Sequence, residues 1–145
     1  MKTINVVGAA IIDPPYVLAF RRGPLLSQAG KWEFPGGKLE PGEDATTALY
    51  RELREELNFH MPINELLGVG EAEIAPGISV RLQVMLVRCD QDNALYELSD
   101  HDKATWLHAH EVDSLDWAPA DIPVLGLLKS VLLAQTNSRG DVQVS

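Results

Sequence analysis

Cysteine is nearly absent: the 145 residues hold one, Cys89. A single thiol excludes an internal disulfide and suits a reducing cytoplasm, so a cytoplasmic protein is expected. Cys89 follows an apolar run, where a buried structural thiol is expected rather than a nucleophile. Basic residues are also scarce, with 12 Lys and Arg against 21 Asp and Glu and a net charge of −9. That balance argues against a nucleic-acid polymer as partner, because such binders show a basic face. It leaves nucleotides open, since a bound cation supplies the missing positive charge. No apolar run reaches the ~20 residues of a membrane-spanning helix, so no membrane partner is expected. Lys2 followed by the apolar residues 4–12 looks briefly like a signal peptide, but Asp13-Pro14-Pro15 ends the run and strand-like residues resume at Tyr16. No repeat, linker or low-complexity block divides the chain. One domain over residues 1–134 is expected, followed by a polar tail, 135–145, without periodicity and expected to be disordered.

Acidic side chains, by contrast, are both abundant and placed. Glu52, Glu55 and Glu56 stand at i, i+3 and i+4, on one face of a helix, with Glu43 in the loop before it. Like charges this close repel, so the helix alone would be better off without them. A divalent cation turns that repulsion into attraction. Mg²⁺ takes hard oxygen ligands, keeps several waters and bridges carboxylates to substrate phosphates. The bland alternative is a solvated face with ion pairs such as Arg51–Glu55. It leaves the preceding Gly36-Gly37 and the number of acids unaccounted for.

Residues 4–12 and 16–20 read as a hairpin of strands around Asp13-Pro14-Pro15. Residues 31–34 read as a short extended piece stopped by Pro35-Gly36-Gly37. A helix is expected over 44–57, capped by Asp44, with Ala45, Ala48, Leu49, Leu53 and Leu57 as its apolar side. Residues 66–75 and 78–87 read as strands around Pro76-Gly77, and 103–108 as a shorter one. A helical turn is expected over 111–115 and an amphipathic helix over 121–134, with Pro123 in its first turn. Two helices beside a largely antiparallel mixed sheet give an α+β fold or an α-β-α sandwich.

The spacing from Gly37 to Glu43, then to Arg51-Glu52-Leu53-Arg54-Glu55-Glu56 and Phe59, resembles the Nudix box, G-x5-E-x7-R-E-U-x-E-E-x-G-U, with U apolar. One position departs: Asn58 replaces the last glycine, and Asn is the next most tolerant residue of the left-handed conformation needed there. The resemblance implies the Nudix-type α-β-α sandwich with a central mixed sheet. It also implies Mg²⁺, with Mn²⁺ as a substitute, held by Glu52, Glu55, Glu56 and the Gly36 carbonyl. One cluster member serves as general base, Glu52 or Glu56. Glu43 either orients Arg51 and the loop or takes part in catalysis, and Arg51 pairs with the box carboxylates.

Outside the box, Ala19-Phe20-Arg21-Arg22, Lys31-Trp32-Glu33-Phe34-Pro35-Gly36-Gly37 and Ala118-Pro119-Ala120-Asp121-Ile122-Pro123 resemble the MutT-type branch, the nucleoside triphosphate pyrophosphohydrolases. By that resemblance Arg22 contacts phosphate, unless it is a plain surface arginine. Asp100 supplies an extra metal ligand or base from a loop, with Asp102 and Glu97 as substitutes and a solvated loop acid as the bland reading. Asp121 reads the base, caps the last helix, or does both. Phe34 and Val80 wall the base or merely pack in the core. An ionised Asp121 accepts two N–H bonds and matches guanine; a protonated one donates to cytosine N3 and accepts from N4. An unperturbed Asp is ionised at neutral pH, which favours 8-oxo-dGTP by a small margin over CTP or modified dCTP. Burial would weaken that preference. The expected reaction is hydrolysis to monophosphate and pyrophosphate by a monomer or homodimer whose partner is a small nucleotide. The reading from another class is a nucleotide sensor without turnover, disfavoured because all four box glutamates are present.

Overall fold

Alternation along β1 (Lys2–Asp13) sends Val7, Ala9 and Ile11 to one face of a sheet and Ala10 and Ile12 to the other. Both faces are covered, which is why this strand carries an almost unbroken apolar run. The computed structural model describes the backbone of residues 2–144 and the side chains of residues 2–134. The expected disordered tail, 135–145, falls outside the fully described residues.

Helix α1 (Ala45–Leu57) covers the first face through Ala48, Leu49, Leu53 and Leu57. The three leucines are essentially fully buried, each contributing about 1.5–3 kcal/mol. Asp44 caps the helix by accepting from Thr47 N–H, and Asn58 ends it in the left-handed region at φ 51°, ψ 39°. Asparagine therefore does the work of the missing glycine. Helix α2 (Leu125–Val144) covers the second face through Leu125, Leu128 and Leu132. It follows a 3-10 turn at Ile122–Val124 rather than beginning as α-helix at Asp121. Among the described residues, no helix is long and apolar enough to cross a membrane.

The sheet forks. β1 pairs with β2 (Tyr16–Arg22) only at Ile11↔Leu18, Ile12↔Val17 and Asp13↔Tyr16. Toward its start β1 pairs instead with β4 (Gly36–Lys38), Val7 opposite Gly37 and Gly8 opposite Gly36. β3 (Trp32–Glu33) pairs with β2 on the other arm of the fork. Pro35 does interrupt the chain, as expected, but Gly36-Gly37 do not remain a stop: they resume as β4. A side chain at Gly36 would strike the Val7 carbonyl, so the closeness of β4 to β1 requires glycine there. β5 (Leu66–Ala75) and β6 (Ile78–Arg88) form an antiparallel pair, with β6 parallel to β1. β7 (His101–His108) lines the far side of β2 and starts two residues before the expected strand. The result is the expected sandwich, with its helices on opposite faces of a mixed sheet.

Candidate active site

Arg51, in the second turn of α1, organises the acidic row. Its Nε and Nη2 donate to both oxygens of Glu43, each at 2.9 Å. Nη1 donates to Glu52 at 2.8 Å and to Glu55 at 3.4 Å, and Nη2 also reaches the Lys38 carbonyl at 3.1 Å. This forked, planar contact is one a lysine cannot reproduce. Glu43 in turn accepts from Glu40 N–H. Hydrogen bonds from Arg51, then from Glu40 N–H, hold the Glu43 carboxyl down at about 2. Glu43 is thus the counter-ion of Arg51, and Glu55 is exposed, with 57% of its side chain in solvent.

Glu52 and Glu56 lie deeper. The Glu52 carboxyl rests against Gly37, where a Cβ would meet its Oε2 at 2.6 Å. Glu56 sits beside it with 16% of its side chain exposed. Burial first, then the charge of Glu52 and more weakly that of Glu33, a hydrogen bond with Glu52 and the charge of Asp100, push its carboxyl up to about 8. Two carboxyls crowded together in a glycine-lined recess mark a place where positive charge is wanted. Among the described residues, no three acid, cysteine or histidine side chains converge as a ready-made metal cage. Mg²⁺ does not need one, since it binds through one or two carboxylates together with waters and phosphate oxygens. The hard oxygen set of Glu52, Glu56 and the nearby Gly36 backbone fits that ion.

Gly37→Ala tests the recess. The three atoms nearest the added methyl all belong to the Glu52 carboxyl, the far end of a side chain rather than backbone, so the fold tolerates it while Glu52 is displaced. We expect kcat to fall at least tenfold, in line with misplacement of a reacting group, with the thermal midpoint within about 3 °C, a change of under about 1 kcal/mol. Steady-state kinetics and a melting curve check both.

Two tethers bring the loop before β7 against the end of α1, and a third ties it to the residue after β2. Glu97 N–H donates to the Leu57 carbonyl at 2.7 Å, and Ser99 Oγ to that of Glu56 at 2.7 Å. Gly23 N–H donates to the Asp100 carbonyl at 3.0 Å. Asp100 is the loop acid whose charge reaches Glu56. Asp102, considered as a substitute, is instead paired with Arg21 at 2.7 Å. His101, which the sequence did not single out, is buried between Glu33 and Glu56, 2.8 Å and 3.8 Å away.

A cavity of about 490 Å³ opens from Gly36, Gly37 and Lys38 toward Phe34, Val80 and Asp121. Phe34 and Val80 do line it, and both also pack in the α2-side core, so wall and core are one role. Lys38, which sequence reasoning passed over, stands at its rim. Arg22 lines the cavity too, but its Nε and Nη2 donate to Ser27 at 2.7 and 3.3 Å and its Nη1 to Glu33 at 2.8 Å. Those contacts make it a strut for the cavity wall. Asp121 is buried in the cavity lining and accepts from Phe34 N–H at 2.9 Å. It makes no capping bond to the turn it precedes, so the capping role is not seen. Burial, as the leading cause, pushes its carboxyl well above the usual range against the opposing effect of the Phe34 N–H. A second cavity, about 230 Å³, lies by Ile12, Met61 and Cys89 and gathers none of the candidate site residues.

Residues 2–128 match the NUDIX domain family. The chain is 36% identical over 125 residues to the CTP pyrophosphohydrolase of Escherichia coli, covering 86% of this chain and 90% of that protein. It is 32% identical over 133 residues to the 8-oxo-dGTP diphosphatase of the same organism, covering 89% and 98%. The solution structure of the E. coli ORF135 protein superposes with a TM-score of 0.76 at 35% identity, over 90% of this chain and 91% of that one. With the box residues gathered at one recess and this likeness spanning nearly the whole described chain, the protein belongs to the Nudix hydrolases, in their MutT-like branch.

Proposed function

We propose that this chain hydrolyses cytosine nucleoside triphosphates, CTP or a modified dCTP, to the monophosphate and pyrophosphate in the presence of Mg²⁺. The observation that carries the base assignment is the burial of Asp121 in the lining of the cavity. The small margin for guanine rested on an ionised carboxylate. A buried Asp121 retains its proton more readily. Its Oδ2 is already engaged by Phe34 N–H, and a carboxyl oxygen has a second lone pair to accept from cytosine N4. The O–H of the same carboxyl then donates to N3. Uracil presents N–H at that position and is refused. The likeness to a CTP pyrophosphohydrolase supports the same assignment.

The side chains that would hold Mg²⁺ are Glu52 and Glu56, with the Gly36 carbonyl and with Glu55 and Asp100 at the margin. When bound, the ion neutralises phosphate oxygens and makes a bound water more acidic. Glu56, deep in the recess beside Glu52, is placed to take a proton from water once a cation offsets the neighbouring negative charge that raises its carboxyl. Arg51 keeps Glu52 oriented. Arg22 and Glu33 brace the cavity wall so that the nucleotide is held in line with the recess.

The test is a nucleotide panel with Mg²⁺, read by pyrophosphate release. CTP or a modified dCTP should be cleaved faster than UTP, dGTP or 8-oxo-dGTP near neutral pH. Faster cleavage of 8-oxo-dGTP would return the assignment to the oxidised purine. Binding without turnover of any nucleotide would make the chain a sensor.

A further inference from the structure

The segment 116–121, which carries Asp121, is held at both ends. At its start, Trp32 N–H donates to the Asp116 carbonyl at 2.9 Å and Ala118 N–H to the Trp32 carbonyl at 2.8 Å. Trp117 Nε1 donates to the Val112 carbonyl at 2.7 Å, and its ring packs on Phe34 with centroids 5.1 Å apart. These contacts fasten the segment beside β3. Its far end comes down on β5. A Cβ at Gly70 would lie 1.9 Å from the Ala120 carbonyl oxygen, and Cβ atoms essentially never come within 3.0 Å of a neighbouring heavy atom. Backbone therefore fills the space a side chain would need. Gly70 is buried and pairs with Leu82, which lines the cavity. Its φ lies outside the left-handed region, so room rather than conformation calls for glycine, as happens where a second backbone approaches a strand closely. Gly68, on the same face two residues earlier, differs. A Cβ there would meet Leu127 Cδ1 at 2.7 Å and Val124 Cγ1 at 3.9 Å, side chains rather than backbone, and Leu127 is half exposed.

We propose that Gly70 is a positioning residue for base selection: by leaving room for the Ala120 carbonyl, it lets segment 116–121 seat on β5 and sets where Asp121 stands in the cavity lining. The proposal rests on the reading of Asp121 as the residue that meets the base. A methyl at Gly70 drives the Ala120 carbonyl back by about 1 Å or more before the contact is one a Cβ can make. β5 is bonded to β6 along Leu66–Ala75, whereas 118–121 is a turn closed by Asp121 N–H on the Ala118 carbonyl at 3.0 Å, so the turn is the part that yields. Asp121 follows Ala120 directly, and its Oδ2 sits 2.9 Å from Phe34 N–H. The retreat loosens that bond and moves the carboxyl off the base edge. Misplacement by about 1 Å costs up to about 10²-fold in rate.

The test compares Gly70→Ala with Gly68→Ala in the purified full chain. Two quantities are measured beside a circular dichroism spectrum: the ratio of kcat/KM for CTP over that for UTP, and the amide hydrogen exchange of Phe34 by NMR. Gly70→Ala should lower the ratio about tenfold and speed Phe34 exchange by a similar factor, within the range for a misplaced group. Gly68→Ala should leave both within about twofold of wild type, because a side chain gives way there and the segment does not move. A folded Gly70→Ala protein with the wild-type ratio, or with wild-type Phe34 exchange, overturns the role. So does Gly68→Ala matching the effect of Gly70→Ala, or an equal loss on both nucleotides. If Asp121→Ala still lowers the ratio in those cases, the reading of Asp121 stands without Gly70. If Asp121→Ala leaves the ratio unchanged, that reading falls and takes this proposal with it. Failure of Gly70→Ala to fold makes the glycine a determinant of the fold at large and also overturns the role. The wild type supplies an independent check: Phe34 N–H should already be protected without nucleotide. Exchange there at the rate of an exposed loop amide would show an unseated segment and overturn the role.

Discussion

Glu56→Gln lowers kcat by about 10²–10⁴-fold, the usual worth of a positioned proton acceptor, and leaves the protein folded. The substitution keeps the shape of the side chain and removes its ability to ionise. Stability should respond in the opposite sense to activity. In the metal-free wild type, the Glu56 carboxyl is raised from 4.5 to about 8 by burial and by Glu52. The folded state therefore holds this proton more tightly than the unfolded chain. Its stabilising contribution is complete below about 4.5 and is lost as the pH climbs to about 8. Melting curves of wild type minus Glu56→Gln should thus fall across this window. Mg²⁺ should reverse the fall for the wild type only, because an ion that binds the folded state stabilises it. Near-normal turnover by a folded Glu56→Gln protein would remove Glu56 from the chemistry.

The second large effect concerns Asp121. Asp121→Ala should reduce the preference for CTP over UTP by about 10–100-fold, the worth of a bidentate pair to a base edge, with a smaller loss on UTP itself. It also leaves Phe34 N–H without its acceptor, at a cost of about 1–3 kcal/mol. Asp121→Asn separates these effects. The amide still accepts from Phe34 N–H, still offers a donor and an acceptor, and cannot ionise, so the cytosine preference should survive. In the wild type, the ratio of CTP to 8-oxo-dGTP turnover should decline as rising pH ionises Asp121. In Asp121→Asn the ratio should stay level. Equal loss on every nucleotide in Asp121→Ala would make Asp121 a support for Phe34 rather than a reader of the base.

What was legible in the sequence was local. Asp44 and Asn58 delimit α1 as expected, because caps act within a few residues. Arg51 reaches the box carboxylates because they lie within one or two turns or in the adjoining loop. What escaped depended on distant pairing. β4 consists of two glycines and a lysine, with no side-chain pattern to announce a strand, and exists because β1 offers it an edge. His101 lies 68 residues from Glu33 and falls just before the strand expected over 103–108. Asp121 precedes a helix, the ordinary setting of a cap, yet its partner is Phe34 N–H, 87 residues away. Arg22 was expected to touch phosphate; it lines the cavity with three of its five N–H donors already given to Ser27 and Glu33, contacts that its sequence neighbours do not announce.

The divergence of β1 from β2 carries a consequence for how such an enzyme changes over time. Phe34, Val80 and the rest of the proposed base end belong to the apolar layer under α2, whereas Glu52 and Glu56 ride on α1, across the sheet. The two meet where 32–38 threads the gap between the parted strands. Substitutions in one layer leave the packing of the other untouched, and well-separated sites combine almost additively. Selectivity is therefore free to drift toward a new nucleobase while the bond-breaking apparatus is inherited intact.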